Sequence, residues 1–262
     1  MGVDNIISLR VVLASGDIVT VSRTSFPDLF WAMRGAGPNF GIVISMTVNA
    51  MPATSDDCLA YIGNLIFSPG KIEEVAQAIQ DLPLTKQQRV FFYLASSGPP
   101  SNEPCIMVNC FLHKGTEETG RAAFAPLHAL GPMMEMCSVE SFDKWNDSGD
   151  IFCLPGGRKP AYSTSINHMQ PRKWLEIWDL YKQFQSKAPN SAILIERFNM
   201  AKSREVSSGS VSWNEALRHG AFAQAIVIPW YDDATLDPEA EDFAQSIRAL
   251  WSYSEDPKNN PV

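Results

Sequence analysis

Charged and hydroxyl groups set inside apolar runs are the first places to look for chemistry, because a buried charge must be paired, exposed or put to use. In Leu194-Ile-Glu-Arg-Phe198, Glu196 and Arg197 interrupt an otherwise apolar strand pattern. Three arrangements satisfy them: a mutual pairing, exposure on an open sheet face, or a substrate pocket in which Glu196 exchanges a proton. His219 stands just ahead of a second apolar run, 221–229, and its imidazole is a general-base candidate. Tyr162 and Tyr93 are further pocket candidates, with little to separate them from core aromatics. The four histidines, His113, His128, His168 and His219, lie at no metal-ligand spacing, so no metal site is expected. The five cysteines (Cys58, Cys105, Cys110, Cys137 and Cys153) are odd in number and scattered. They read as buried free thiols rather than a disulfide framework or a zinc site.

Backbone groups offer a second kind of site. Residues 28–51 read as a short helix, a glycine-rich turn and a strand. Ser25 and Asp28 have capping-box spacing at the helix start, and Gly35 is placed to end it. Within Gly35-Ala-Gly-Pro-Asn-Phe-Gly41, the three glycines let backbone approach something closely, so the turn is either a plain connection or a ligand cradle. The strand that follows puts Ile42, Ile44, Met46 and Val48 on one face. Helix before turn before strand reverses the order of the dinucleotide fingerprint, and no Gly-Lys-Ser/Thr follows.

The elements that must position these residues follow from hydrophobic period. Residues 5–13 alternate as a strand, 14–17 form a hairpin turn and 18–22 return. A proline-led polar stretch, 52–57, marks a boundary. Beyond it, strands are expected at 58–67, 89–95, 105–113, 133–139, 162–168, Ala192–Phe198 and 221–229, with helices at 68–82, 116–130 and 171–186 and a last one from Leu236. Trp174, Ile177, Trp178, Tyr181 and Phe184 recur at helical spacing and read as core. Neighbouring strand pairs with no helix between them favour an antiparallel sheet with helices on one face, an α+β fold.

The literal residues of the turn carry more than their spacing. Asp28-Leu-Phe-Trp-Ala-Met-Arg-Gly-Ala-Gly-Pro-Asn-Phe-Gly-Ile-Val43 resembles a signature of FAD-linked oxidases of the vanillyl-alcohol oxidase and berberine-bridge-enzyme type, with a PCMH-type FAD-binding domain. Gly2-Val-Asp-Asn-Ile-Ile-Ser-Leu-Arg-Val-Val-Leu-Ala-Ser-Gly-Asp17 resembles the same flavin domain, and the run from Ser210 to Arg218, followed by a strand ending in Pro229-Trp230, is similar to fungal secondary-metabolism members. The resemblance implies FAD contacts near Gly35, Gly37, Asn39, Gly41, Ile42 and Val43. It implies part of the flavin domain at 1–55 and a substrate domain, an antiparallel sheet covered by helices, at 56–252. The tail 253–262 would lead toward a further flavin-domain segment, so the chain is expected to be truncated at both ends. The family's pyrophosphate loop and flavin-anchoring histidine have no counterpart here, which implies non-covalent FAD if it binds. The glutamate that some members carry as a base falls near Ala223, beside Gln224, and neither side chain abstracts a proton.

These readings lead to an expected FAD-linked oxidoreductase that oxidises a small secondary metabolite by hydride transfer to flavin, with Glu196, His219 and Tyr162 as catalytic candidates. The alternative is a flavin-independent isomerase, cyclase or small-molecule-binding protein using a pocket of 56–252. A formal charge of −8 disfavours nucleic-acid and anionic-membrane partners. No run approaches the roughly 18 apolar residues of a spanning helix. Met1 leads into a strand pattern, so a cytoplasmic location is the default expectation. A homo-oligomer or a complementing flavin-domain chain are the expected protein partners.

Overall fold

The computed structural model describes residues 2–98, 100–219 and 222–252; the tail assigned to loop by sequence, 253–262, lies outside the described residues. In chain order the elements begin with β1 (Ile6–Val12), β2 (Ile18–Ser22), α1 (Pro27–Ala36) and β3 (Ile42–Val48). Next come β4 (Leu59–Phe67), α2 (Ile72–Asp81), β5 (Gln88–Ser96), β6 (Pro104–His113), α3 (Glu117–Ala123), α4 (Ala125–His128) and β7 (Met134–Ser141). The last are β8 (Tyr162–Ile166), α5 (Lys173–Gln185), β9 (Ala192–Phe198), α6 (Ala201–Arg204), α7 (Glu215–His219), β10 (Ala223–Ile228) and α8 (Asp237–Ser252). Two compact units emerge: Met1–Ala53 with Met200–Gly220, and Thr54–Asn199 with Ala221–Val262.

The first unit is a three-stranded antiparallel sheet, ordered β2-β1-β3, with α1 laid on it. Leu9, Val11 and Val21 meet Phe30 and Met33 in a small core. The helix start differs from the sequence expectation. Ser25 does not cap α1; its hydroxyl donates to the Thr20 carbonyl at 2.9 Å, and Phe26, at φ 48°, occupies the cap position without a side-chain hydrogen bond. Pro27, whose missing N–H costs nothing in a first turn, starts the helix instead.

Regular helix ends at Gly35, as its residue type suggests, but the close approach it permits is to the chain itself. Gly35 has φ 156°, and a Cβ there would lie 2.4 Å from the Trp213 nitrogen. Residues 200–220, which the sequence assigned to the second domain, therefore pack with the first unit. Trp31 Nε1 donates to the Gly209 carbonyl at 2.7 Å, Arg34 Nη2 to the Ser210 carbonyl at 2.6 Å, and Ser212 Oγ to the Ala32 carbonyl at 2.9 Å. Arg218, with no exposed surface, pairs with Asp4 at 2.8 Å. Such backbone-directed bonds leave no hydrophobic period, which is why sequence pattern missed the association.

The second unit holds a seven-stranded antiparallel sheet in the order β7-β4-β6-β5-β9-β10-β8. Alternation sends Val90, Phe92 and Leu94 of β5, Ile106, Val108 and Cys110 of β6, and Ile193 and Ile195 of β9 into one buried layer. Helices α2, α5 and α8 cover that layer with Ile72, Val75, Ile79, Trp174, Ile177, Tyr181, Phe184, Phe243 and Ile247. The Phe184 and Phe243 rings stack 4.5 Å apart, and Phe92 meets Trp174 edge-on at 4.7 Å. Burying each such side chain contributes about 1.5–3 kcal/mol. The helix expected over 116–130 is broken between α3 and α4 at the buried Phe124, two residues before Pro126, which has no N–H to continue the ladder. Not all thiols are buried: Cys58 and Cys153 are exposed.

Replacing Gly35 with alanine should destabilise the protein by about 3 kcal/mol, because strain and a backbone collision coincide. The readouts are the thermal midpoint and the rate of proteolytic cleavage within 205–212. An unchanged midpoint and cleavage rate would contradict the contact.

Candidate active site on the uncovered sheet face

The alternation that buries one face of the large sheet presents the other. Among the described residues no α-helix of this unit packs there; the 3-10 turn Phe142–Lys144 borders it, with Trp145 against Phe111 at 5.1 Å. Strand register lines up one cross-strand row on this face: Asn64 opposite Asn109, Asn109 opposite Phe91, Phe91 opposite Glu196, Glu196 opposite Gln224, and Gln224 opposite Ser165. Asn109 Nδ2 donates to Asn64 Oδ1 at 2.8 Å, and Gln224 Nε2 to Ser165 Oγ at 3.3 Å. Two flanking rows carry Met107, Tyr93, Leu194 and Ile226 on one side, and Phe111, Arg89 and Phe198 on the other. Glu196 thus sits mid-sheet between an aromatic ring and an amide.

Its electrostatics follow from that position. Burial pushes the Glu196 carboxyl above the usual carboxylate range, opposed by the Arg89 guanidinium. Burial, then the neighbouring Glu196, pushes the Tyr93 hydroxyl up to about 12, again opposed by Arg89. Tyr93 therefore remains a protonated hydroxyl at neutral pH, while burial favours the neutral form of Glu196 more than in an exposed carboxyl.

Within the second unit the sequence-derived candidates do not converge. Glu196 and Arg197 form no mutual pair, because adjacent strand residues face opposite ways. Arg197 turns to the helix side, donating to the Ile79 carbonyl and lying 4.2 Å over the Phe222 ring. Tyr162 stands opposite Val227, a core residue, and packs against the core on the covered face. His219 belongs to the first unit, in α7, with Nε2 3.5 Å from Glu215 Oε2. Ala223 is buried in the core, whereas Gln224 shares the row with Glu196. Of the three catalytic candidates, Glu196 alone lies on the uncovered face.

The glycine turn is equally specific in what it offers. A Cβ on Gly41 would lie 2.6 Å from Val11 Cγ1 and from the Val12 carbonyl oxygen, and at Gly35, whose backbone is exposed, the Cβ direction points into Trp213. Gly37 is buried beside Met33. Asn39 is exposed, its Nδ2 donating to the Ala36 carbonyl at 3.2 Å. Ile42 is 71% exposed and Val43 37%, on a strand that pairs along one edge only. The accessible part of the stretch is therefore 38–43, an apolar strand start with unpaired backbone.

No protein-family model matches the chain. The FAD-linked oxidoreductase pgmH of Aspergillus terreus is 33% identical to it over 266 residues, covering 95% of this chain and 52% of that protein. The FAD-linked oxidoreductase anuG of Penicillium roqueforti is 26% identical over 273 residues, covering 99% and 52%. This chain is a relative of the fungal FAD-linked oxidoreductases. It spans about half the length of the curated relatives it matches. Its fold recurs in BBE-like #28 from Arabidopsis thaliana, with a TM-score of 0.73 and 19% identity over 99% of this chain and 56% of that one. It recurs too in a carbohydrate oxidase from Microdochium nivale, at 0.71 and 20% over 95% and 54%.

Arg89, Asn64, Asn109 and Ser165 complete the uncovered face, and sequence reasoning did not select them. The signal was present: in β5 and β6, Arg89 and Asn109 occupy the phase opposite Val90, Phe92, Ile106 and Val108. Glu196 also makes a prediction about pH. A carboxyl whose folded pKa is raised favours the folded state at low pH, and that contribution is lost as pH rises through the carboxylate range toward the folded pKa. Glu196→Gln, which mimics the neutral acid, should match the wild type in denaturant midpoint at pH 4 and exceed it at pH 8. A constant difference across that range would contradict the burial of the charge.

Proposed function

We propose that this chain carries the substrate-facing surface of an FAD-linked oxidoreductase that oxidises a small molecule by hydride transfer. The observation that carries the reading is the mid-sheet Glu196, raised above the ordinary carboxylate range and flanked by Phe91 and Gln224 on a face free of helices. Support comes from relatives named FAD-linked oxidoreductases and from neighbours of the same fold named as oxidases. The flavin-independent alternative has no observation of its own in its favour.

The residues present fit an FAD contact in part. Exposed Asn39, Ile42 and Val43, with the free edge of β3, suit a flat ring system that takes backbone hydrogen bonds. Gly35 and Gly41 face their own chain, so we assign them to holding the turn rather than to the cofactor. When bound, FAD supplies the hydride acceptor, chemistry that no amino-acid side chain provides. The side chains of the uncovered face do the remainder. Glu196 holds or releases a proton at its carboxyl oxygen as the substrate changes charge. Tyr93 donates from its hydroxyl, the Asn109 and Gln224 amides orient polar groups of the substrate, and Phe91 excludes water beside Glu196.

The test is a visible absorption titration of the purified chain with FAD, repeated after desalting. A saturable flavin band that Ile42→Asp weakens by about tenfold, with cooperative melting unchanged, is expected. A colourless protein that still melts cooperatively, or a band indifferent to Ile42→Asp, would contradict the assignment.

A further inference from the structure

Arg89 has an unmet need. Its Nε is buried without a hydrogen-bond partner, and among the described residues it forms no ion pair. Its guanidinium instead lies on aromatic rings, 3.8 Å from the Phe111 centroid and 5.5 Å from that of Phe91. Stacking fills the faces of a guanidinium and leaves its edge, the fork of N–H donors that matches a carboxylate. Removing such a cation from water without an anion is costly, and ring stacking offsets only part of that cost. Glu196, one cross-strand row away, attracts the guanidinium across the sheet face but forms no ion pair with it.

Arg89 lines a cleft of about 330 Å³, at the small end of ligand sites. Its walls are aromatic. Phe111 and Trp145 meet at 5.1 Å, and His113 and Trp145 at 5.8 Å, both edge-to-face. Trp145 is fixed by donation from Nε1 to the Glu140 carbonyl at 3.0 Å, and His113 by an Nε2 bond to the Asp57 carbonyl at 2.9 Å. Phe198, 38% exposed, stands at the mouth, and Lys86 adds positive charge to the lining. Two fixed rings and one forked cation line this open cleft.

We infer that this cleft binds a small aromatic carboxylate, its ring between Phe111, Trp145 and Phe198 and its carboxylate on the edge of Arg89. The inference deepens the oxidoreductase reading by naming the substrate class, and rests on that reading only for the claim that the bound acid is oxidised, by breaking a C–H bond on a hydroxyl-bearing side-chain carbon of its ring, the hydride passing to FAD and the hydroxyl proton to a base; the binding itself does not require flavin.

The experiment is isothermal titration of the purified chain with 2-naphthoate, its methyl ester and inorganic phosphate. One-site binding of 2-naphthoate is expected, with the ester and phosphate each weaker by about tenfold or more, because the ester lacks the charge and phosphate lacks the ring. Arg89→Gln should weaken 2-naphthoate by about tenfold or more, and Arg89→Lys should restore part of the loss. Should Arg89→Gln fail to fold, the acid-to-ester ratio on the wild-type chain still decides. No binding, equal binding of acid and ester, or binding of phosphate as tight as that of the acid would overturn the proposal. Binding of 2-naphthoate by a chain that retains no FAD keeps the site and sinks the flavin reading; retained FAD without naphthoate binding does the reverse.

Discussion

One-sided covering of the seven-stranded sheet is the constraint on which the remaining structure depends. Strands alternate, so a sheet that gives Val90, Phe92, Leu94, Ile193 and Ile195 to the helices must give Arg89, Phe91, Tyr93, Leu194 and Glu196 to its other face. A one-residue slip would bury Arg89 (for β5) or Glu196 (for β9) on the helix-covered face and expose the core. The same hydrophobic energy that fixes the register therefore fixes where Glu196 and Arg89 stand. Their perturbed electrostatics need no special device: partial desolvation on a sheet face, with one cation and one acid in adjacent rows, is sufficient.

The first unit solves a different problem. A three-stranded sheet with a single ten-residue helix buries only a small core. It is tied instead by directional bonds from α1 to residues 209–213 and by the enclosed Arg218–Asp4 pair. Gly35 is the residue that lets that segment lie against the helix end. The consequence for function is that β3, not the glycines, remains accessible. Every residue of β3 is exposed, five of them apolar, and the strand keeps one edge unpaired.

The sequence made the large elements legible where hydrophobic period was strong. The Trp174-to-Phe184 stripe and the antiparallel hairpin of β5 and β6 both follow from periods of 3.6 and 2. It failed where the deciding interactions leave no period. Ser25 and Asp28 had the spacing of a cap, yet Pro27 and a left-handed Phe26 started the helix. Residues 200–220 joined the first unit through carbonyl acceptors, which any sequence supplies. The site was half legible. Glu196 stood out as a charge in an apolar run, but Arg89 became significant only once its unpartnered buried Nε was visible in three dimensions, and Tyr162 proved to face the covered side because side-chain direction is not written in composition.

The central claim is a division of labour, with the free strand of the first unit taking the flavin and the uncovered sheet face of the second taking the substrate. Hydrogen–deuterium exchange read by mass spectrometry, with FAD and 2-naphthoate added separately, tests it most directly. The account predicts that FAD slows exchange in peptides covering 38–48 and that 2-naphthoate slows exchange in those covering 88–96 and 104–113. Protection of the same peptides by both ligands, or protection by FAD confined to the large sheet, would contradict it.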